Sequence, residues 1–405
     1  MTSLLPPRLA LSTAQRLSFD SLRGLIAFLL VIQHMGQCGF AVVPPGYTHQ
    51  RLVSVAIFFT LSGFLITRCV LQPAVFQPWN FMKRRAARIF PPYLICLLFM
   101  VLLFAPSFLV NESLSDTLGN VASHLTLTYG WFDAYGDGVV PPFWTLSHEW
   151  TFYLFMAVTA VWMRRRALWY LTAGMIAGAL ILRSCVSAES VKLANNMRNW
   201  LCIMDLFAFG IMAGALSLKP GVMAAVQRTR VVVPLLLVGA GLAGWALYRH
   251  YSLALSMEGE FEDYWHFHEA FTAEFVQRRS SMLWYQPALA CGTAIFLLVL
   301  WLRPVGVARW LRYTPLPWMG KISYSTYLWH WAIIFNLRRA KLRTPDDSFW
   351  QQDWPGFLLV LGTVYAFSYF AWYFFERPFM NPGGKPAAHA KVPAPADLGQ
   401  APVGA

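Results

Sequence analysis

The chain has 405 residues, of which 57% are hydrophobic, 16% aromatic and 13% charged, and its formal net charge is +13. A soluble globular protein carries about 25% charged residues, so this composition excludes that class and indicates a polytopic membrane protein. The basic residues form short clusters between long apolar runs rather than one patch, which favours membrane topology over nucleic-acid binding.

Apolar runs of about 17 to 25 residues are long enough to cross a bilayer as helices. Such runs occur near residues 21–40, 51–71, 92–110, 143–163, 167–186, 199–217, 231–250, 284–302, 323–339 and 355–375. They predict an all-α integral membrane protein, a bundle of about ten transmembrane helices. Lys and Arg cluster in alternate loops while acids concentrate in loops 111–142 and 251–283, so both termini are predicted to be cytoplasmic; only the mixed loop that begins with Arg338 to Arg343 departs from this pattern.

We expect residues 1–380 to form one transmembrane domain. Residues 381–405 are rich in Pro, Ala and Gly and cannot bury a core, which predicts a disordered cytoplasmic tail. The six cysteines lack CxxC spacing and lie mostly in apolar runs, so we expect neither a metal site nor a disulfide framework.

The first run, RLSFDSLRGLIAFLLVIQHMG, places three ionisable side chains in or beside an apolar helix: Asp20, Arg23 and His34. Arg23 and His34 have ten residues between them, so on a helix they share nearly one face, about 16 Å apart. We predict that Arg23 lies at the helix edge and His34 near the middle of the bilayer, where an ionisable group suggests function. The alternative is a positive-inside anchor and a histidine that only joins helices.

The next two runs contain a small residue and a basic cluster. Ser62 lies within FFTLSGFLIT, where small residues allow helices to approach closely. In FMKRRAARIFPPY, Arg85 and Arg88 share one helical face before a predicted break at Pro91 and Pro92. Arginine's planar fork suits phosphate, although an ordinary positive-inside cluster is the alternative.

The fourth run opens with PPFWTLSHEWTFYLF, which places Glu149 inside an apolar helix with Tyr153 four residues further on. A carboxylate there needs a partner, and His34 is the obvious candidate. Such a pair would fix the tautomer of the imidazole and make its other nitrogen more basic. A structural ion pair within the bundle is the alternative.

Later runs carry further polar side chains that must be satisfied in lipid. Asp205 is the sole charge of its run, and GKISYSTYLWH contains Ser323, Tyr327 and His330. For Asp205 and His330, a hydrogen bond between helices is as good an explanation as catalysis. Glu376, in FFERP, is most simply an interfacial pair with Arg377.

Taken in order from Arg16 to Phe379, the blocks RGLIAFLLVIQH, FFTLSGFLIT, RRAARIFPPY, FWTLSHEWTFY, DLFAFGIMAG, GKISYSTYLWH and FFERP resemble the acyltransferase-3 family of membrane O-acyltransferases. The resemblance implies ten helices, a cytoplasmic acyl-coenzyme A donor and a carbohydrate or other hydroxyl acceptor. It also implies that Arg23 and His34 are essential, and that Arg85, Arg88 and Glu149 match functional positions. Trp150 stands where a second polar residue is common in the family.

No SGNH hydrolase-like domain is recognisable after the membrane runs, so we expect the transmembrane unit to act alone or with a separate periplasmic or extracellular partner. The predicted function is O-acylation, most simply O-acetylation, of a glycan, lipid-linked saccharide or similar acceptor at a bacterial inner membrane. Acetyl-coenzyme A or another acyl-coenzyme A is expected as a substrate, with no permanently bound cofactor and no metal.

In this hypothesis His34 is the general base, oriented by Glu149, or else His34 or a tyrosine is transiently acylated. Arg23, Arg85 and Arg88 bind the coenzyme A diphosphate. Supporting roles are assigned to Asp20, Ser62, Tyr153, Asp205, Ser323, Tyr327 and His330.

Two other classes remain open from sequence. A polytopic transporter could use intramembrane His, Glu and Asp as a proton or solute site, although no pair of broken helices is visible. A membrane glycosyltransferase or polymerase would need a saccharide-diphosphate site on an external loop, and the acidic external loops argue against it.

Overall fold

A computed structural model describes residues 12–38, 40, 42–44, 51–72, 76–104, 113–132, 141–163, 166–185, 200–256, 284–341 and 353–380. These described residues form helices and turns without a β-strand, which confirms the all-α prediction. The predicted tail 381–405 and most of loop 251–283 lie outside the described residues.

Ten of the described helices have 17 or more residues and are the framework of the fold. They are α1 Thr13–Gln37, α2 Arg51–Val70, α3 Pro78–Phe99, α5 Trp144–Met163, α6 Ala167–Cys185, α7 Trp200–Leu216, α9 Thr229–Ser256, α10 Tyr285–Leu302, α13 Ser323–Lys341 and α14 Asp353–Ala371. Shorter helices connect them: α4 Leu114–Thr126, α8 Pro220–Val226, α11 Val305–Leu311, α12 Leu316–Lys321 and α15 Arg377–Met380.

Seven of these helices are long and apolar enough to cross a membrane, or eight if the 90° bent pair α7 and α8 forms one broken span. The chain is therefore a multi-pass membrane protein. Helices α5 and α13 fall outside this group, and both carry polar side chains that the sequence singled out, such as Glu149 and His330. The count of ten spans and the cytoplasmic placement of the termini stay predictions.

Helix α1 begins earlier than predicted, at Thr13 rather than near residue 21. The reason is a capping box, in which the Gln15 backbone N–H donates to Ser12 Oγ and the Ser12 backbone N–H donates to Gln15 Oε1. Arg23 therefore lies about 15 Å inside the helix rather than at its edge. His34 lies in the last turn of α1.

Helix α3 also begins earlier than predicted, at Pro78, and the break expected at Pro91 and Pro92 is wrong. The helix continues through both prolines to Phe99 and then forms a π-helical turn, Met100–Phe104. Each proline removes one backbone donor from the helix. Burial of neighbouring apolar side chains, including Tyr93 and Cys96, offsets that loss.

Close helix contacts at glycines bring the site-bearing helices together. A Cβ atom at Gly320 of α12 would overlap the backbone of Asp20 in α1, and one at Gly24 would overlap the backbone of Leu316. Gly63 of α2 contacts α7 in the same way, through the Phe207 carbonyl. Side chains at these positions would force the helices apart, so the glycines fix how near α1 lies to α12 and α2 to α7.

Stacked aromatic rings form the centre of the main core beside the site. Phe207 of α7 stacks on Phe59 of α2 and on Phe152 of α5, with ring centroids 4.5 Å and 4.2 Å apart. A second core cluster joins α1, α13 and α14 through Val31, Ile334 and neighbouring side chains. The three-helix contact in this second cluster holds the end of α1 that carries His34.

Candidate active site

The structure brings the three predicted phosphate-binding arginines together. Arg23 of α1 interacts electrostatically with Arg85 and Arg88 of α3, and all three side chains are partly buried. The Arg85 guanidinium lies over the Tyr153 ring, 5.1 Å from its centroid. Planar guanidiniums are suited to bind phosphate oxygens, so this cluster (Arg23, Arg85 and Arg88) is a candidate site for an anion.

Two carboxylates face the arginine cluster. Asp20, a predicted supporting residue, interacts electrostatically with Arg23, Arg88 and Lys321. Glu376 interacts with Arg88 and Arg23, is 0% exposed, and accepts a 2.7 Å hydrogen bond from Ser325 Oγ through Oε2. Its Oε1 has no hydrogen-bond partner among the described residues.

The expected interfacial pair between Glu376 and Arg377 is therefore wrong, and Glu376 is a site residue that the sequence analysis missed. The Arg377 guanidinium instead lies over the Tyr373 ring, 5.0 Å from its centroid. A π-helical turn, Trp372–Glu376, ends α14 and changes the direction in which the last side chains point. The one available signal was a single carboxylate at the end of an otherwise apolar run.

Glu149 of α5 lies next to the arginine cluster. It accepts a 3.0 Å hydrogen bond from Ser62 Oγ of α2 and another from the Tyr153 hydroxyl. Because Tyr153 also contacts Arg85, the carboxylate is connected to the cluster through one aromatic ring. The predicted supporting residues Ser62 and Tyr153 thus both contact Glu149.

His34 meets a second imidazole at the last turn of α1. Its Nδ1 lies 2.6 Å from Gln37 Oε1, and its ring centroid lies 5.0 Å from that of His330 in α13. The ring of Trp331 contacts His34 edge-on, with centroids 4.9 Å apart. The hydrogen bonds described for His34 and Glu149 go to other residues: His34 bonds to Gln37, and Glu149 accepts from two hydroxyl groups. The predicted contact between Glu149 and His34 therefore stays a prediction.

Helix α13 joins the two parts of the site. Near its first turn Ser325 bonds to Glu376, and further along His330 lies beside His34. Between them the Tyr327 hydroxyl lies 2.8 Å from Thr145 Oγ1 of α5. Ser323, the other predicted residue on α13, donates to the Gly320 carbonyl at 2.9 Å, which is a local contact at the helix start.

Asp205 lies in a different charge cluster. It forms a buried ion pair with Arg183 of α6, with Nη2 and Oδ2 2.7 Å apart. Arg183 also donates to Gln286 Oε1 of α10 at 2.7 Å and to the Cys202 carbonyl at 3.0 Å. These bonds join α6, α7 and α10, and they account for the charge of Asp205 as a contact between helices.

Comparisons with known proteins indicate acyl transfer. A family model described as an acyltransferase domain, acyltransferase-3, matches residues 16–373. The chain is 27% identical over 329 residues to BcsY of Komagataeibacter xylinus, which bears the name of a membrane-bound transacylase; the match covers 78% of this chain and 72% of the relative. It is 24% identical over 393 residues to the peptidoglycan O-acetyltransferase OatA of Listeria monocytogenes, covering 90% of this chain and 56% of that relative.

None of the solved structures matches this chain. The family match spans nearly the whole chain and includes every residue discussed above from Arg23 to Tyr373. It decides between the alternatives in favour of an acyl-transferring enzyme over a transporter or glycosyltransferase. The chain belongs to the acyltransferase-3 family of membrane-bound acyltransferases.

Proposed function

We propose that this protein is an O-acetyltransferase that takes an acetyl group from acetyl-coenzyme A and transfers it to a hydroxyl group of a cell-envelope glycan or lipid-linked saccharide. The observation that carries the proposal is that Arg23, Arg85 and Arg88 converge beside the middle of α1, the helix that carries His34 in its last turn. One helix therefore presents a site for phosphate at one level and an imidazole at another.

Donor binding is assigned to the arginine cluster. None of the three arginine residues is fully buried, which supports access of a ligand to the cluster. Each can form charge-assisted hydrogen bonds to the coenzyme A diphosphate, and such bonds are about twice as strong as neutral ones. Asp20 and Glu376 keep the guanidiniums together when no donor is bound.

Transfer is assigned to His34. The acceptor oxygen attacks the thioester carbon, its O–H bond breaks, and the proton passes to the imidazole. The C–S bond then breaks, and the proton is returned to the coenzyme A sulfur. Glu149, held by Ser62 and Tyr153, supplies the negative charge that favours a protonated imidazole. In the covalent variant, His34 or a tyrosine carries the acetyl group between donor and acceptor.

The acceptor class and location rest on chemistry and on the relatives. One relative is named a peptidoglycan O-acetyltransferase, which supports a hydroxyl of an envelope glycan as acceptor. We place the protein in a bacterial inner membrane with ten spans and cytoplasmic termini, because basic clusters alternate with acidic loops. A separate periplasmic or extracellular protein would complete transfer where the acceptor lies outside.

The test uses membranes from cells with and without the protein, incubated with acetyl-coenzyme A labelled in the acetyl group. We expect label in the glycan fraction, removable by mild base because it is an ester, and an equal amount of released thiol. Cysteine labelling of loops 111–142 and 251–283 from outside the cell tests the orientation.

The matched control is Arg84→Ala, which removes the same charge from the exposed face of α3. Membranes of this variant should transfer acetyl at the normal rate, whereas Arg85→Ala membranes should not. Equal labelling in the presence and absence of the protein would contradict the proposed activity. Labelling of either loop from the cytoplasm alone would contradict the orientation.

A further inference from the structure

The strongest unexplained feature of the site is that it contains two imidazoles rather than one. His34 is 8% exposed and His330 is 0% exposed, and their rings are tilted by 35° at a centroid separation of 5.0 Å. The two rings are neighbours without a direct hydrogen bond, so a proton passes between them after one ring turns or through a hydroxyl that lies between them. Two histidines side by side within the bundle cost free energy unless their polar atoms are used.

The hydrogen bonds of His330 fix its tautomer. Its Nδ1 lies 3.0 Å from the Thr326 carbonyl oxygen and 2.8 Å from the Tyr327 carbonyl oxygen. Carbonyl oxygens only accept, so Nδ1 carries the hydrogen and Nε2 of the neutral ring is an acceptor. That Nε2 is buried and has no hydrogen-bond partner among the described residues.

A buried acceptor without a donor costs about 1–3 kcal/mol, and folded proteins rarely leave one unused. The Nε2 of His330 is therefore available to accept a hydrogen bond, either from a hydroxyl or from a protonated His34. The nearest described ring that can exchange one is His34, since Trp331 presents only an indole and Tyr327 is 6.1 Å away between ring centroids. His330 thus places a hydrogen-bond acceptor in the ring beside the proposed base.

The two histidines differ in how firmly they are held. His330 is bonded to backbone oxygens, which cannot change role, whereas His34 Nδ1 is bonded to the Gln37 side-chain amide. An amide has an oxygen at one side and an NH2 group at the other, so it can turn and accommodate either tautomer of His34. His34 can thus exchange protons while His330 keeps one fixed acceptor.

We infer that His330 is a second proton acceptor of the acyl transfer, sharing with His34 the proton that the acceptor hydroxyl loses. This inference rests on the proposed function. As the hydroxyl oxygen bonds to the acyl carbon, its proton moves to His34 and is shared with His330 Nε2. When the C–S bond breaks, the same proton goes to the sulfur of coenzyme A, so neither histidine is changed at the end of the cycle.

The test is chemical rescue of His330→Ala in membranes supplied with labelled acetyl-coenzyme A. We expect acetyl transfer to fall by about 10² or more, the usual contribution of a proton-transfer group. Coenzyme A binding should be unchanged. Added imidazole should restore transfer, whereas pyrazole, a ring of the same size that is a much weaker base, should not.

A matched control is His124→Ala on α4. His124 is also buried, and its Nδ1 also bonds to the carbonyl four residues earlier, Asn120, at 3.0 Å. It lies on a different helix from the proposed reaction. We expect this variant to lose stability at most, with no difference between imidazole and pyrazole.

Three results would overturn the inference while leaving the proposed function intact: normal transfer by His330→Ala, equal rescue by both rings, or weakened coenzyme A binding that accounts for the whole loss. If His330→Ala does not fold, His330→Asn replaces it, because its amide N–H can still donate to the backbone oxygens but it has no Nε2. Full activity in folded His330→Asn would also refute the role. Wild-type membranes that transfer no label would instead refute the proposed function, and this inference with it.

Discussion

The protein contains two charge clusters, the Arg183 and Asp205 pair and the arginine cluster, and they are built in opposite ways. Arg183 and Asp205 are 1% and 0% exposed, and both terminal nitrogens of the guanidinium are bonded to protein oxygens. The arginine cluster remains partly exposed, and Glu376 beside it has a carboxylate oxygen without a partner among the described residues. Arg183 Nε also lacks a hydrogen-bond partner among the described residues, so the two clusters differ in pairing and exposure: the first is a buried ion pair that joins helices, and the second contains guanidiniums that are not fully buried.

The comparison teaches that an intramembrane charge is not in itself a sign of catalysis. Asp205 is as deeply buried as Glu376, yet its partner on the neighbouring helix explains it. What distinguishes the arginine cluster is partial exposure and, among the described residues, no ion pair that neutralises its guanidiniums. The following predictions test that distinction, from the largest expected effect to the smallest.

Breaking the Arg183 and Asp205 pair on one side should cause the largest loss of stability. Asp205→Leu leaves a buried guanidinium without its counter-charge, which costs about 3–5 kcal/mol. The double variant Arg183→Met with Asp205→Leu should recover most of it, since apolar replacements of both partners are often neutral. Thermal unfolding of the detergent-solubilised protein measures this. A single variant as stable as the wild type would remove the structural role of the pair.

His34→Ala should differ from Asp205→Leu in what it loses. Its stability should be normal, and its rate of acetyl transfer should fall by about 10²- to 10⁴-fold. Coenzyme A binding should persist, because a base contributes little to ground-state affinity. Glu149→Gln should also be severe, because an amide cannot stabilise an imidazolium by charge. Transfer and donor binding are measured for both single variants and for the double.

The double variant tests whether Glu149 and His34 act in one step. If they do, it should be hardly slower than either single variant, because residues that act as a unit are strongly non-additive. Multiplicative losses would separate Glu149 from His34 and leave it as a partner of Ser62 and Tyr153. Full activity of His34→Ala would end the proposed mechanism.

Single removal of Arg23, Arg85 or Arg88 to alanine should weaken donor binding by about 1.5–3 kcal/mol, the usual contribution of a hydrogen bond to a charged group. Lysine at these positions should rescue only partly, because it lacks the planar fork. Calorimetry with coenzyme A measures the affinity, with Arg84→Ala as the exposed control. Equal affinity for coenzyme A in all four variants would mean that these arginines serve only membrane topology and do not bind the donor.

Glu376→Gln should have the smallest effect on donor affinity. It removes a negative charge beside Arg88 while retaining the oxygen that accepts from Ser325. The charge around the arginine cluster becomes more positive, so coenzyme A should bind a few-fold more tightly at low salt, and its affinity should fall more steeply as salt is added. Weaker binding would mean that Glu376 acts by holding Arg88 in position rather than by lowering the local charge.

The sequence predicted those features that depend on spacing along one helix. Arg85 and Arg88 share a face because they are three residues apart, and apolar run lengths located the long helices. Helix ends were predicted less well, since the capping box at Ser12 and the continuation of α3 through Pro91 and Pro92 depend on local bonds and burial. Prediction of the complete site would also have required the contacts between helices that are distant in sequence.

Contacts between distant helices explain the remaining differences. Glu376 is buried at the last position of a π-helical turn, which no periodic pattern in the sequence indicates. The pairing of His34 with His330 joins helices near opposite ends of the chain. The Arg183 and Asp205 pair could have been inferred, because each is the sole charge of a neighbouring apolar run.

Because α1 is one uninterrupted helix from Arg23 to His34, it sets the distance that the proposed donor must span. Eleven residues of rise separate Arg23, in the proposed diphosphate site, from the His34 imidazole by about 16 Å, and the glycine contact with α12 limits movement of α1 along its axis. A donor with a shorter chain between its diphosphate and its thioester could reach the arginine cluster or His34, but not both at once. Inserting one helical turn between Arg23 and His34 would lengthen this distance by about 5.4 Å and give a protein that binds its donor without using it.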